Sequence, residues 1–215
     1  MARRTREGGL SLDQILDAAL VLVDRDGLDA LTMRGIAGEL GRGHASLYRH
    51  VASRDEVVVL LADRVLGDLR FGDGAGTPRD QAEAALRAYR AALLAHPALT
   101  PAFLDGQLLG PNALARREEG LRFLLDAGAT PALASLAFLT ATHFVISSAA
   151  FEASGAGRTV EQRAEMEDYF LALPPDEYPT VGALAKDLNA VAGDDEFELG
   201  LAALLDHLGT LIAGR

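Results

Sequence analysis

Apolar residues recur every three or four positions along nearly the whole chain, which is the spacing of one face of an α-helix. The stripe starts at Leu12, Ile15 and Leu16 and returns near the end of the chain as a run of leucines that finishes at Leu211. No stretch alternates apolar and polar residues long enough to indicate a strand. The pattern therefore predicts an all-α protein, in which a small three-helix head precedes a larger helical body.

Capping residues divide the first part of the chain into short helices. Ser11 precedes the first apolar stripe as an N-cap, and Gly27 follows it as a terminating residue. Thr32 caps a second helix that Gly41 stops, and Ser53 begins a capping box. The helices predicted here run from 12 to 26, 33 to 40, about 44 to 50 and about 53 to 69.

A glycine-rich segment, Gly72–Pro78, separates this region from the rest of the chain. It lacks the third glycine of a phosphate-binding loop, since Thr77 stands there, and no strand precedes it, so a flexible connector is favoured. Further helices are predicted over 79–94, 101–109, 112–126, 131–153, 160–171, 181–191 and 195–212. We expect two domains, 1–54 and 55–215, with the helix at about 53–69 linking them.

Composition excludes several classes of protein. The chain has no cysteine, so it has neither disulfides nor thiolate metal sites. The arginines near its start are not followed by an apolar segment, so a secretory signal is not expected. The most apolar stretch, 132–151, is interrupted by Ser, Thr and His, which predicts a buried helix and no membrane span. We expect a soluble, cytoplasmic protein.

Charge is distributed unevenly along the chain. The net charge of −11 by itself disfavours a nucleic-acid partner. Residues 1–54, however, contain eight Arg and seven acidic residues, whereas the rest contains 12 basic and 24 acidic residues. Within 32–54 four arginines accompany a single acidic residue, Glu39. A basic end on an acidic body suits a DNA-binding protein, although an uneven solvated surface would give the same counts.

The segment Leu31–Val51 combines two short helices with a glycine-containing turn. Ile36 and Leu40 of the first helix can pack on Leu47 and Val51 of the second, and a small alanine lets the two helices approach. Polar residues of the second helix then remain free to enter a DNA groove. Two-helix hairpins are common in proteins of every function, so this packing alone leaves a purely structural role open.

The same segment resembles the DNA-binding domain of the TetR family of bacterial regulators. Thr32, Ile36-Ala37 and Gly41 precede Leu47-Tyr48-Arg49-His50-Val51 in the order and spacing of that family's motif. The helices before and after also fit, so the likeness covers about 55 residues. A weaker likeness to the tetracycline-repressor branch extends over the body, at Leu121–Phe123, His143–Phe144 and Phe197–Leu201. The resemblance implies a helix-turn-helix that binds double-stranded operator DNA.

The resemblance also implies a DNA-facing role for a set of side chains, which are Arg34, His44, Ala45, Ser46, Tyr48, Arg49, His50 and Arg54. Arg34 matches a base-reading position, where its guanidinium suits a guanine edge. Tyr48, His50 and Arg54 match phosphate contacts, and Arg49 is placed to touch either base or backbone. A core aromatic is the alternative for Tyr48, and a structural histidine is the alternative for His50.

Two departures from the family pattern affect what the resemblance implies. Arg42 stands in the turn where the family usually has Val or Ile, so it either turns outward to a phosphate or loosens the turn. The metal-chelating His and Glu of tetracycline repressors also lack clear matches. Arg70 replaces one His, Leu104 falls near the other, and Glu152 is about one residue out of register. We therefore expect a ligand bound without metal, and no cofactor.

The body offers no catalytic grouping of residues. Its histidines, His96, His143 and His207, are far apart and none stands beside an obvious nucleophile, so an enzyme is not expected. An apolar interior with scattered polar groups instead suits a small-molecule pocket. The ligand-contact candidates are Phe103, Gln107, Leu108, Asn112, Phe123, His143, Phe144, Ser147 and Phe151. Core packing alone is the alternative for each of them.

The helix at 131–153 and the final helix pair with their symmetry mates in the TetR family, so the resemblance implies a homodimer. The alternative is that both helices belong to the core of a monomer. We expect a dimeric repressor that a small apolar or amphipathic ligand, neutral or weakly charged, releases from a palindromic operator. The alternatives are an activator or ligand-independent regulator of the same fold and, from another class, a helical enzyme or carrier.

Overall fold

The computed structural model describes residues 10–70, 76–104, 109–155, 159–189 and 193–214. These ranges form eleven α-helices and three short 3-10 helices, and they contain no strand. The α-helices are Leu12–Asp26 (α1), Met33–Glu39 (α2), Arg54–Val65 (α3), Pro78–Ala95 (α4), Thr100–Leu104 (α5), Pro111–Asp126 (α6), Pro131–Gly155 (α7), Val160–Leu171 (α8), Pro179–Ala183 (α9), Ala185–Asn189 (α10) and Gly193–Ala213 (α11). The 3-10 helices are Leu28–Ala30, His44–Arg49 and Pro97–Leu99. The all-α prediction is confirmed.

Local capping bonds begin and end the first helices where the sequence predicts. The Ser11 hydroxyl accepts a hydrogen bond from the Gln14 N–H (3.2 Å), and the Gln14 side chain accepts one from the Ser11 N–H (3.1 Å). Gly27 ends α1 with a φ of 82°, a value that favours glycine. The Thr32 hydroxyl accepts a hydrogen bond from the Gly35 N–H (2.9 Å) at the start of α2. Each signal acts between close neighbours in sequence.

A tight glycine turn follows α2. Gly41 has a φ of 60°, and the Arg42 N–H donates to the Ala37 carbonyl at 2.9 Å, which is the six-residue closure of a Schellman motif. Behind the turn, Ile36 and Leu47 are fully buried in one core, as their spacing predicts. The turn is therefore closed by backbone bonds despite the arginine that replaces the usual apolar residue.

The predicted third helix forms a 3-10 helix, His44–Arg49, where the sequence pattern suggests an α-helix. Its N-cap, Gly43, offers no side-chain oxygen to the free N–H groups of the first turn. The Ser46 hydroxyl donates to the Gly43 carbonyl at 2.7 Å, and such a side-chain bond competes with the regular backbone ladder. The segment is thus wound more tightly than the predicted helix.

Helix α3 is shorter than predicted. The Ser53 hydroxyl accepts a hydrogen bond from the Glu56 N–H (3.1 Å), while the Glu56 carboxylate accepts one from Ala52, so the capping box is displaced by one residue. The helix ends at Val65, not near residue 69, and Gly67 lies in the turn that follows. Hydrogen bonds between residues three apart, such as Gly67 N–H to the Arg64 carbonyl (2.8 Å), replace the helical pattern there.

The body is built around α7, which packs against α4 and α6, while α11 covers α4 and α7. Most predicted helices of the body agree with the observed ones to within two residues at each end. The predicted helix over 101–109 is only α5, and 105–108 lie outside the described residues. The predicted helix over 181–191 is two helices, because Leu184 has a nonhelical φ of −103° and ψ of 11°. Of the predicted connector, residues 72–75 lie outside the described ranges.

One hydrophobic core extends from the first helix to the last. Helix α3 contributes Val57 and Leu61, both fully buried, and it contacts α1 on one side and α5 and α6 on the other. The core continues through Val145 of α7 to Phe197 of α11. Helix α3 is therefore packed into both regions of the molecule, and the domain division after residue 54 stays a prediction.

Helix α7 is not buried on all sides. Over Pro131–Ser154 it is long and apolar enough to cross a membrane by length and composition, yet only 33% of its most apolar window is buried. Leu136 and Phe151 are exposed on it, with 64% and 67% of their surface accessible. The predicted core helix thus packs into the protomer through one face and leaves an apolar face uncovered.

Candidate nucleic-acid interface and ligand cavity

The head leaves most of the predicted DNA-facing side chains exposed, namely Arg34, His44, Ala45, Tyr48, Arg49 and His50. Tyr48 is 52% exposed and is not a core aromatic, and its ring meets that of His44 edge-on at a centroid distance of 6.5 Å. Ser46 is half-buried and its hydroxyl proton is already donated to a backbone carbonyl. The contacts of these residues with DNA stay predictions.

Arginines of the head fall into two groups. Arg25, on α1, pairs with Asp26 at 2.8 Å and with Glu39 at 3.4 Å. The other group has exposed side chains that make no hydrogen bond or ion pair within the described part of the chain, and it consists of Arg34, Arg42 and Arg49. An arginine that is not neutralised by a neighbour attracts phosphate most effectively. The Arg42 side chain turns outward, which is the first of the two alternatives that its position allows.

The Arg54 side chain bonds to the protein's own backbone, which its sequence position does not reveal. Its Nε donates to the Leu31 carbonyl and its Nη2 to the Leu28 carbonyl, both at 2.9 Å, and Nη1 lies 3.3 Å from Asp55. These bonds attach the start of α3 to the chain that joins α1 and α2. The predicted phosphate contact of Arg54 is untested, but the side chain has a structural role beside it.

A cavity of about 480 Å³ opens between the turn after α3 and helices α4, α5, α6 and α7. This volume is in the range of pockets for drug-sized organic molecules. Its apolar wall consists of Leu66, Leu69, Ala85, Leu86, Tyr89, Phe103, Leu104, Ala113, Phe138, Leu139 and Ile146. Its polar wall consists of Arg70, Arg116, Arg117, Thr142, His143 and Ser147.

Three of the predicted ligand contacts line this cavity, namely Phe103, His143 and Ser147. Gln107 and Leu108 lie outside the described residues. Four others do not line it, which are Asn112, Phe123, Phe144 and Phe151. Phe144 stacks on Phe197 at 5.5 Å between ring centroids and fills the core, and Phe151 is exposed. Phe144 and Phe151 therefore lie apart from the cavity wall, and the ligand contacts as a set stay predictions.

Asn112 bonds to the buried carboxylate of Asp63 on α3, which is only 4% exposed. That carboxylate accepts hydrogen bonds from the Asn112 side chain (3.0 Å), the Asn112 N–H (3.3 Å) and the Ala113 N–H (2.8 Å). Asp63 thus caps the N-terminus of α6 from another helix. Gly110 permits this contact, because a Cβ there would lie 2.3 Å from the Asp63 carboxyl group.

Sequence reasoning missed the basic part of the cavity wall. Arg116 and Arg117 are charged residues of α6, and Arg70 follows the turn after α3, so none belongs to an apolar stripe. Tyr89 was missed because its helix, α4, shows only an ordinary amphipathic pattern. The signal that the sequence does contain is Arg70 itself, which occupies the position of a chelating histidine in the family pattern.

The electrostatics of the wall are dominated by its arginines. Arg116 Nη2 bonds to Glu119 at 2.8 Å, and its Nε and Nη1 are buried with no partner among the described residues. Burial also raises the pKa of the Tyr89 phenol, so this group stays protonated and can donate a hydrogen bond. Within the described ranges, no three His, Asp or Glu side chains are grouped so that they could hold a metal ion.

Two family models match the chain. Residues 15–61 match the model described as bacterial regulatory proteins of the tetR family, and residues 72–212 match the tetracyclin repressor-like C-terminal domain. The HTH-type transcriptional repressor DrrR1 of Streptomyces coeruleorubidus is 32% identical over 219 residues, which span 96% of this chain and 80% of that protein.

Solved structures agree with these matches. Apo ActR of Streptomyces coelicolor superposes with a TM-score of 0.85 at 33% identity, covering 95% of this chain and 97% of that one. ActR in complex with actinorhodin gives 0.87 at 32% identity, covering 96% and 99%. The match therefore includes both the head and the body. The chain belongs to the TetR family of DNA-binding transcriptional regulators, with an N-terminal helix-turn-helix and a helical C-terminal body.

Proposed function

We propose that this protein is a homodimeric repressor that binds a palindromic operator in the cytoplasm and leaves it when a small organic molecule fills the cavity. The observation that supports this most directly is the position of the cavity against the end of α3. Leu66 and Leu69 form part of its wall, and α3 begins in the head shortly after the 3-10 helix His44–Arg49, the proposed recognition segment. The related ActR has been crystallised with (S)-DNPA and with actinorhodin, which supports a ligand-responsive body.

The bond between Asp63 and the start of α6 provides a route from the cavity to the head. Arg116 and Arg117 of α6 line the cavity, and the N-terminus of the same helix is held by Asp63 of α3. A ligand that shifts α6 therefore shifts α3, or breaks this cap. Since α3 is bonded through Arg54 to the chain before α2, the shift reaches the helix-turn-helix.

Dimerisation is proposed through the outer faces of α7 and α11. Leu136 and Phe151 on α7 and Leu199 and Leu211 on α11 are large apolar side chains left exposed in the protomer. Much of the apolar stripe of α11 does not take part, because Phe197, Leu201 and Leu205 are buried in the protomer core. A two-fold axis beside these helices would cover the exposed side chains of both copies at once.

The DNA-facing set is proposed to act in each protomer of the dimer. Two recognition segments related by a two-fold axis require half-sites about one turn of DNA apart, or a multiple of it. A ligand that changes their separation removes one head from its half-site and so lowers the affinity for the whole operator. Release needs a ligand that prefers the released conformation by several kcal/mol.

The test is selection of double-stranded DNA from a random pool by the full-length protein, followed by release with planar aromatic compounds. We expect the enriched sequence to be an inverted repeat, bound by two chains as measured by analytical ultracentrifugation. An enriched sequence without a repeat, bound by one chain, would contradict the dimer. Binding that no compound in the panel reverses would favour a ligand-independent regulator, and activation of a reporter gene by the bound protein would contradict repression.

A further inference from the structure

The wall of the cavity is basic although the body that contains it is acidic. Residues 55–215 contain 24 acidic and 12 basic residues, yet the cavity is lined by Arg70, Arg116 and Arg117 and by no acidic side chain of the described ranges. Three like charges at one cavity repel each other unless something neutralises them. The excess of positive charge therefore indicates that an anion is received there.

The Arg116 side chain is largely shielded from water. Its side chain is 14% exposed, and one nitrogen, Nη2, bonds to Glu119. Nε and Nη1 are buried and bond to no described residue, so two donors of a desolvated cation are left unsatisfied. A buried donor without a partner is costly, and a shift of this side chain that brings a donor to an acceptor of a ligand in the cavity recovers that cost.

Arg117 and Arg70 keep their charge available. The Arg117 side chain makes no hydrogen bond or ion pair within the described part of the chain. Arg70 Nη1 donates to the carbonyls of Gly67 and Leu69, both at 2.6 Å, which positions the guanidinium without neutralising it. Glu119 thus balances one arginine, and a positive charge remains at the cavity.

The rest of the wall is apolar and aromatic. Tyr89 and Phe103 meet edge-to-face at 6.4 Å between centroids, and Phe138 also lines the cavity. Such a wall suits a planar aromatic ligand that fits in a volume of about 480 Å³. The neutral phenol of Tyr89 adds one hydrogen-bond donor to this part of the wall.

We propose that the effector is an aromatic acid, whose planar body lies against the aromatic wall and whose carboxylate binds the guanidinium groups of Arg116 and Arg117. The planar guanidinium fork matches a carboxylate in geometry as well as in charge. This assignment of the ligand class rests on the proposed function, in which the cavity is the effector site. It replaces the neutral or weakly charged ligand that the sequence suggested.

The test compares anthracene-2-carboxylic acid with its uncharged amide, anthracene-2-carboxamide, by fluorescence titration of the full-length protein without DNA. We expect the acid to bind at least about tenfold more tightly than the amide, because a charge-assisted bond is worth more than a neutral one. Arg116→Met or Arg117→Met lowers the affinity for the acid by about tenfold and removes that preference, while the affinity for the amide falls less. Arg122→Met is the matched control, since Arg122 lies on the same helix, is exposed and pairs with Glu118.

Equal binding of acid and amide, binding of neither, or a preference that survives both substitutions together would overturn the proposal. Arg117→Met removes no bond between described residues, so it remains informative if Arg116→Met does not fold. DNA release is measured separately. An acid that binds with the expected preference but does not release DNA contradicts the effector-site function alone. Release by the amide as readily as by the acid contradicts the ligand class alone.

Discussion

Arginines of the head and arginines of the body differ in whether they pair with a carboxylate. In the body most are ion-paired, as at Arg79, Arg87, Arg90 and Arg122. In the head the arginines near the recognition segment have no carboxylate partner among the described residues, namely Arg34, Arg42 and Arg49. In the described part of the body, Arg70 and Arg117 have no carboxylate partner, and both line the cavity.

This difference separates arginines that stabilise the protein from arginines that receive an external anion. In a chain with a net charge of −11, acidic residues are abundant enough to pair with most basic ones. An arginine left without a partner is therefore informative about binding. At the head the expected anion is the phosphate backbone and the polar edge of a base, and at the cavity it is the acid group of the effector.

The largest expected effect comes from separating the two protomers. Leu136→Glu with Leu211→Glu should give monomers, because both side chains are exposed in the protomer and the charges oppose only the proposed interface. Operator affinity should then fall by at least about 100-fold, since one head loses the effective concentration that its partner provides. Sedimentation and gel shift measure the two effects.

Leu171→Glu is the control for the dimer variant, since Leu171 is 59% exposed on α8, outside the proposed interface. It should stay dimeric and bind normally. A Leu136→Glu, Leu211→Glu protein that remains dimeric would place the interface elsewhere, and a monomer that binds the operator at full strength would show that one head is sufficient.

The second effect concerns an unpaired arginine of the head. Arg34→Ala should cost about 1–3 kcal/mol at each half-site and relax the base preference at one symmetric pair of operator positions. Arg25→Ala is the matched control, because Arg25 is also in the head but pairs with Asp26 and Glu39. Binding is measured against operators carrying each base at every position. An unchanged preference in Arg34→Ala would show that Arg34 does not read a base.

The organisation of the head could be predicted from sequence because its signals are local. The caps at Ser11 and Thr32 and the positive φ of Gly41 each involve residues only a few positions apart. The 3-10 form of the recognition segment was missed, since the bond from Ser46 to Gly43 competes with the helix in a way that periodicity does not show. The family likeness then identified which side chains face outward.

The cavity could not be predicted in the same way. Its wall joins side chains from four helices and the turn after α3, so it depends on packing that no short motif encodes. Phe144 and Phe151 are of a residue type that often lines pockets, but Phe144 is stacked in the core and Phe151 is exposed. His143 and Ser147 both line the cavity, since residues four positions apart share a face of α7. The direction of a helix face toward core, cavity or solvent is decided by tertiary contacts.

The third effect tests the connection between head and body. Asp63→Asn should lower the free energy of unfolding by about 1–3 kcal/mol, because a buried acceptor of three hydrogen bonds is partly replaced by a donor. It should also weaken the effect of bound ligand on operator affinity, since the cap joins α3 to α6. Asp68→Asn, at an exposed position just after α3, is the control. Normal coupling in Asp63→Asn would show that the signal takes another path.

The smallest effect concerns Arg54, for which a structural role and a phosphate contact predict different results. Its bonds to the Leu28 and Leu31 carbonyls stabilise the head, and its side chain is 38% exposed, so Arg54→Ala should cost only about 1 kcal/mol of stability. If the structural role is the main one, the slope of log affinity for the operator against log salt concentration should stay unchanged in Arg54→Ala.

Arg49→Ala, which removes an unpaired charge, should instead make the slope shallower by about one for each phosphate that the variant no longer neutralises. Urea denaturation and salt titrations of binding distinguish the two. A slope that becomes shallower in Arg54→Ala as well, with unchanged stability, would make Arg54 a phosphate-binding residue and extend the DNA-binding surface onto α3.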